Sequence, residues 1–242
     1  MSARGSARAV AGVAGVAGGG GDDGGRPDWL EPWQRALRAG QQLPAGWRHD
    51  PPGTAEVRRA AVLVLLGDGG EDGPDVLLTR RADTLASHPG QVAFPGGRRD
   101  PEDADDTACA LREAREEVGL DPSGVHVLGN LPPLWVPPSA HQVVPVLGWW
   151  HRPGPVGVVD PLEVAQVVRV PVAELVDPDN RVGVRYPAGR GSGPGFLVQG
   201  LFVWGFTAGM LDWLLGLAGL EQGWDRTPVV DHEGSPLEGV EE

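Results

Sequence analysis

Phe94-Pro95-Gly96-Gly97, followed by Arg112-Glu113-Ala114-Arg115-Glu116-Glu117-Val118-Gly119-Leu120, sets a glycine turn ahead of an acidic helix. An α-helix advances about 100° per residue. Glu113, Glu116 and Glu117 stand at i, i+3 and i+4, so they share one face. Leu111, Ala114 and Val118 fall on the other side and predict a buried stripe. The helix is expected from near Asp105 to Val118, with Gly119 at its C-terminal cap. Three carboxylates this close repel one another, and a hard divalent cation relieves the repulsion. Oxygen donors favour Mg²⁺ or Mn²⁺ over zinc. Alone, the string also reads as a solvated acidic face with Arg112 and Arg115 as ion-pair partners. The flanking residues decide between the two.

Gly97-(x5)-Asp103-(x8)-Arg112-Glu113-Ala114-Arg115-Glu116-Glu117-Val118-Gly119-Leu120 resembles the Nudix box, G-x5-E-x7-R-E-U-x-E-E-x-G-U. Asp103 stands where the box has Glu, one extra residue precedes Arg112, and Ala114 is small for its apolar position. The resemblance implies an α/β/α sandwich around a mixed β-sheet and hydrolysis of a pyrophosphate bond. It makes Glu113, Glu116 and Glu117 metal ligands together with Gly97. A metal there neutralises substrate charge and orients or activates water. Glu116 and Glu117 are candidate general bases, with Glu163 behind them. Arg112 is expected to pair with a neighbouring glutamate and fix its rotamer. Gly96 and Gly97 let backbone approach metal and phosphate where a Cβ would obstruct.

Upstream, Leu77-Leu78-Thr79-Arg80-Arg81-Ala82 and His88-Pro89-Gly90-Gln91-Val92-Ala93-Phe94-Pro95-Gly96-Gly97 resemble the signature of the coenzyme A pyrophosphatase branch, L-L-T-x-R-[SA]-x3-R-x3-G-x3-F-P-G-G. Ala86 occupies the site of the second Arg. Val203-Trp204-Gly205-Phe206-Thr207-Ala208 resembles the branch's C-terminal helix motif. The likeness spans roughly Ala60 to Trp224 and implies cleavage of CoA to 3′,5′-ADP and 4′-phosphopantetheine. An Arg fork suits phosphate, so Arg80, Arg81 and Arg98, with Arg99 nearby, are the candidate substrate contacts. Each also reads as an ordinary strand-end or loop arginine. His88, beside Pro89-Gly90, reads as a turn residue, and His141 carries less signal still. Two other readings stand beside this one. The first is a Nudix hydrolase of ADP-ribose or a dinucleotide, favoured by Ala86. The second is a non-catalytic Nudix ligand sensor, disfavoured by the intact glutamates.

The 242-residue chain has a formal net charge of -13 at pH 7, which argues against a nucleic-acid or anionic-membrane binder. All 20 basic residues are Arg. Cys109 is the single cysteine, so no intrachain disulfide can form, consistent with a cytoplasmic protein. Its place on the acidic helix makes it a small buried residue rather than a nucleophile. The reading leaves room for a homodimer.

Residues 1–28 are Gly- and Ala-rich and read as a disordered tail. Ala9 to Ala17 lacks the Leu-rich centre of a signal peptide. The main domain is expected over 29–224, with a flexible acidic tail over 225–242. Trp29, Leu30, Trp33 and Leu37 predict a short amphipathic helix. Strands are predicted at Ala60–Leu66, Asp75–Thr79, Gln91–Phe94, Val125–Leu128, Gln142–Trp150 and Val164–Val170. Pro171–Val176 reads as a helical turn. Arg181–Tyr186 and Phe196–Gln199 read as a hairpin around a mobile Ala188–Gly195 loop. Phe196–Leu220 is nearly long enough to span a bilayer, but Gln199, Asp212 and its glycines weaken that reading. Phe206, Met210, Trp213, Leu214 and Leu217 recur at helical spacing and predict a helix packed on a sheet.

Overall fold

The computed structural model describes residues 25–38, 43–44, 47, 57–137, 139–186, 191–226 and 229–234. The tail predicted over residues 1–28 lies outside them as far as residue 24. β1 (Arg58–Asp68) is the central strand. Its apolar run is buried on both faces, as a strand covered from both sides requires. β1 pairs antiparallel with β2 (Pro74–Arg81) at one end and with β4 (Gly96–Arg98) at the other. On its other side it pairs parallel with β7 (His141–Trp150). The sheet is therefore mixed. β3 (Val92–Ala93) and β8 (Val164–Pro171) pair with β2, and β5 (Val125–Asn130) and β6 (Leu134–Val136) pair with β7.

Side chains alternate across the strand. Ala61, Leu63 and Leu65 meet α2 (Asp106–Val118) in one core, while Val64 and Leu66 meet the other helices in a second. That second core takes in α1 (Glu31–Arg38), α3 (Val172–Val176) and α4 (Gly205–Leu217). Trp47 stacks beside Phe206 and Trp213 at its margin. The expected α/β/α layering follows. β9 (Arg181–Arg185), β10 (Ser192–Val198), β11 (Leu201–Val203) and β12 (Val229–Asp231) form a separate four-stranded sheet.

Several expectations are corrected. The buried stripe of α2 is Cys109, Ala110, Ala114 and Val118, and Leu111 is only partly buried against it. Gly96-Gly97 is strand rather than turn, because Ala61 and Val62 supply its pairing. Ser192 to Gly195 belongs to β10, and residues 188–190 of the predicted loop lie outside the described residues. The chain does not leave the fold after Trp224, since β12 adds a parallel strand to β9. Phe196–Leu220 divides into the end of β10, β11 and α4. Among the described residues no helix is long and apolar enough to cross a membrane.

Candidate functional site

The site forms where β4 lies between β1 and α2. Asp105 caps the start of α2, its carboxylate accepting from Ala108 N. Gly119 closes the helix in the left-handed conformation at φ 71°, which glycine adopts without steric cost. The far end of α2 is fastened from outside. Gly157 N donates to Val118 O at 3.0 Å, and Val159 N to Glu117 O at 3.3 Å. Two helix-end carbonyls thereby gain partners.

α2 turns its glutamates toward β4. A Cβ at Gly97 would stand 2.6 Å from the Glu113 carboxylate. A Cβ at Gly96 would stand 2.4 Å from Ala61 O and 2.6 Å from Val62 Cα. Gly96 N donates to Glu117 Oε2 at 3.1 Å. Glu117 is buried, and burial, reinforced by Glu113 and Glu163, raises its carboxyl to about 7 against the pull of Gly96 N–H and Arg81. Glu113 is raised as well, first by burial, with Arg112 opposing.

Arg112 ties the face together. It donates to Glu116 Oε2 at 2.9 Å, stands 3.1 Å from Glu113, and donates to Arg98 O at 3.0 Å. It also makes two 3.0 Å bonds to Asp103, the planar fork that favours Arg here over Lys. That fork holds the Asp103 carboxyl down at about 2. Asp103 is the residue whose role the sequence leaves unassigned; its place in the motif is the available signal. The Val156–Val159 segment that fastens α2 has no periodic signature to find it by.

The candidate arginines separate. Arg80 is paired with Asp83 at 2.6 Å. Arg81 follows a register irregularity between β2 and β8. It acts electrostatically on Glu117, and its Nε is buried without a partner. Arg98 is exposed. Arg99 is spent on the loop, donating to Asp103 O and Ala104 O. His88 sits at φ 55° with Nδ1 2.9 Å from Gln91 Oε1, a turn residue as expected. His141 Nδ1 lies 2.6 Å from Ser139 O. Glu163 is exposed, and its carbonyl accepts from Ala82 N.

Among the described residues, no three acidic, His or Cys side chains are gathered closely enough to hold an ion as they stand. Glu116 is turned to Arg112 instead. The donor set nonetheless fits a hard divalent cation. Glu117 is buried and Glu113 half-buried beside it, their oxygens face a strand with no Cβ in the way, and no sulfur or imidazole is among them.

Residues 56–187 match the NUDIX domain family. The chain is 43% identical over 160 residues to an uncharacterized Nudix hydrolase, NudL, of Cronobacter sakazakii, covering 64% of this chain and 79% of that one. It is 40% identical over 127 residues to the chloroplastic Nudix hydrolase 22 of Arabidopsis thaliana, covering 51% of this chain and 41% of that one. The crystal structure of the M. smegmatis Nudix hydrolase RenU superposes with a TM-score of 0.49 at 19% identity, covering 76% of this chain and all of that one. With more than half its length inside the matched domain, and its glycine strand and glutamate helix at the centre of that domain, the chain belongs to the Nudix family of pyrophosphohydrolases.

Proposed function

We propose that the protein is a divalent-metal-dependent CoA pyrophosphatase. The observation that carries this is the placement of Arg81, in the Leu77–Ala82 segment, beside buried Glu117 with an unpartnered Nε. Glu113, Glu116, Glu117 and the Gly97 carbonyl would hold Mg²⁺ or Mn²⁺. When bound, the ion supplies charge neutralisation on the diphosphate and a more acidic water. Arg112 orients Glu113 and Glu116, and Asp103 holds Arg112. Arg81, with Arg98 at the rim, binds phosphate oxygens. Arg80 joins only when released from Asp83. Water oxygen bonds to one phosphorus and the bridging oxygen leaves with the other phosphate. The water proton passes to a carboxylate of the Glu116–Glu117 pair. CoA and one water become 3′,5′-ADP and 4′-phosphopantetheine.

Ala86, exposed on the loop after β2, favours a second reading, hydrolysis of ADP-ribose or a dinucleotide. The test is a panel of CoA, acyl-CoA, dephospho-CoA, ADP-ribose and NADH with Mg²⁺, products separated by charge. We expect CoA to exceed dephospho-CoA in kcat/KM by about tenfold, the effect of one hydrogen bond to a charged group. Ala86→Arg should widen that ratio. Equal rates on the two would remove the 3′-phosphate argument, and faster turnover of ADP-ribose than of CoA selects the second reading.

A further inference from the structure

We propose that the cleft between α1 and β5 is a second anion site, built for a phosphate group and separate from the glutamate face. It is lined by Arg26, Gln34, Leu37, Arg38, His126 and Leu128. α1 packs in the core on the opposite side of the sheet from α2. β5 is reached from β1 through β7, away from β2 and β4. No residue of the cleft belongs to the catalytic apparatus.

The cleft is open on one side and its volume is about 160 Å³. A water needs at least about 10–15 Å³ on that measure, so a phosphate group fits with room to spare.

The charge of the lining is the second observation. Three basic groups face the cleft and, among the described residues, no carboxylate lines it, in a chain of net charge -13. Arg26 Nη2 is bonded to His126 Nε2, so two basic groups are turned on each other. Arg38 reaches Gln34 Oε1 at 3.2 Å, a neutral acceptor. Glu31, the acid of α1, is engaged by Arg35. From the end of β7, Trp149 lies against His126 with ring centroids 6.3 Å apart, and His151 against Trp149 at 5.7 Å. Among the described residues, the charged groups acting on His126 are Arg26 from the N-terminal arm and His151 from beyond β7, with Gln34 and Arg38 of α1 lining the same cleft. Burial, then Arg26 and His151, hold His126 below its ordinary pKa. An anion seated here reverses that balance. Two guanidiniums and an imidazolium offer forked donors and the countercharge of a phosphate dianion.

The test uses the full chain and NMR of the imidazole C–H signals. His126 is assigned by the signal lost in His126→Asn. Inorganic phosphate is titrated against chloride at constant ionic strength, with methyl phosphate in a parallel arm. The expected result is a saturable shift of the His126 signal and a rise of its pKa by about one unit. Arg26→Gln and Arg38→Gln should each weaken phosphate binding about tenfold or more and leave the hydrolytic rate unchanged. Equal binding of methyl phosphate marks the ligand as a phosphomonoester, and binding of inorganic phosphate alone marks it as the free ion. An unsaturable His126 response, or the same response in the Arg26→Gln/Arg38→Gln double variant, overturns the proposal. So does a His126 pKa already raised in chloride alone, which would mean a carboxylate of the chain occupies the cleft.

Discussion

Arg112 reaches Asp103, Glu113 and Glu116 with a single guanidinium, and its two shared bonds with Asp103 are buried on the carboxylate side. Asp103 stands at about 2 in the folded chain against about 3.9 unfolded. The folded value is the lower one, so the stabilisation is full above about pH 5 and is lost as pH falls through about 2. Asp103→Asn should therefore cost about 2 kcal/mol at pH 7 and far less at pH 2. Urea titrations at the two pH values measure this; an equal penalty at both would remove the charge from the explanation. Glu117→Gln keeps the side-chain shape and the acceptor for Gly96 N–H. It should lower kcat about a thousandfold and abolish the rise in Tm that Mg²⁺ is expected to give the wild type by mass action. Near-normal turnover at saturating Mg²⁺ would refute the assignment. Glu113, Glu116, Glu117 and Arg112 are legible in the sequence because helical spacing is local. Asp103 is not, since its role depends on the Asp100–Ala104 loop folding back. Nor does sequence rank Arg80 and Arg81, which differ only through the Asp83 ion pair and the break in β2–β8 register.

Two adjacent glycines of β4 give opposite forecasts. At Gly97 a new methyl meets the far end of a flexible glutamate, 2.6 Å away. Gly97→Ala should leave Tm nearly unchanged and displace Glu113. Activity should fall about a hundredfold, the scale of a 1 Å misplacement in a site. At Gly96 the methyl meets backbone of β1 at 2.4 Å, and backbone cannot rotate aside. Gly96→Ala should cost about 2–4 kcal/mol of stability, as severe steric substitutions do. Paired thermal melts and initial rates separate the two, and a Gly97→Ala protein with full activity would deny Glu113 its place. The same strand shows what sequence hides. Long elements such as β1, β7, α2 and α4 announce themselves by apolar runs and periodicity. β4, β6, β11 and β12 are three residues each. They exist because a neighbouring strand offers hydrogen bonds, and Gly-Gly has no strand propensity of its own.

At the scale of the molecule, the separate sheet is locked to α4 through Arg181. This guanidinium is 3% exposed, lies 4.3 Å from the Phe196 ring centre and 4.6 Å from that of Trp224, and pairs with Asp212. Arg181→Ala should cost about 3 kcal/mol, because Asp212 keeps its charge and loses its partner. Arg181→Met, which refills the space between the rings, should cost less. A loss of about 3 kcal/mol lowers Tm by roughly 6–12 °C in a chain of this size. The Arg181 cluster and the glutamate face draw on different elements, so KM for substrate should not move. A KM that shifts with Arg181→Ala would show the clamp reaching the glutamate face.

The aromatic residues are unevenly divided between the two cores. Trp29, Trp33, Trp47, Trp149 and Trp213 belong to or flank the core of α1 and α4, whereas the core under α2 holds Trp150. Intrinsic fluorescence during unfolding is thus weighted toward the face opposite the glutamates. The glutamate face carries its own label in Cys109, fully buried and with its thiol pushed up to about 12 by burial. An alkylating reagent can reach that thiol only after α2 lifts from β1. Run side by side, the emission change and the labelling rate time the detachment of opposite sides of one sheet.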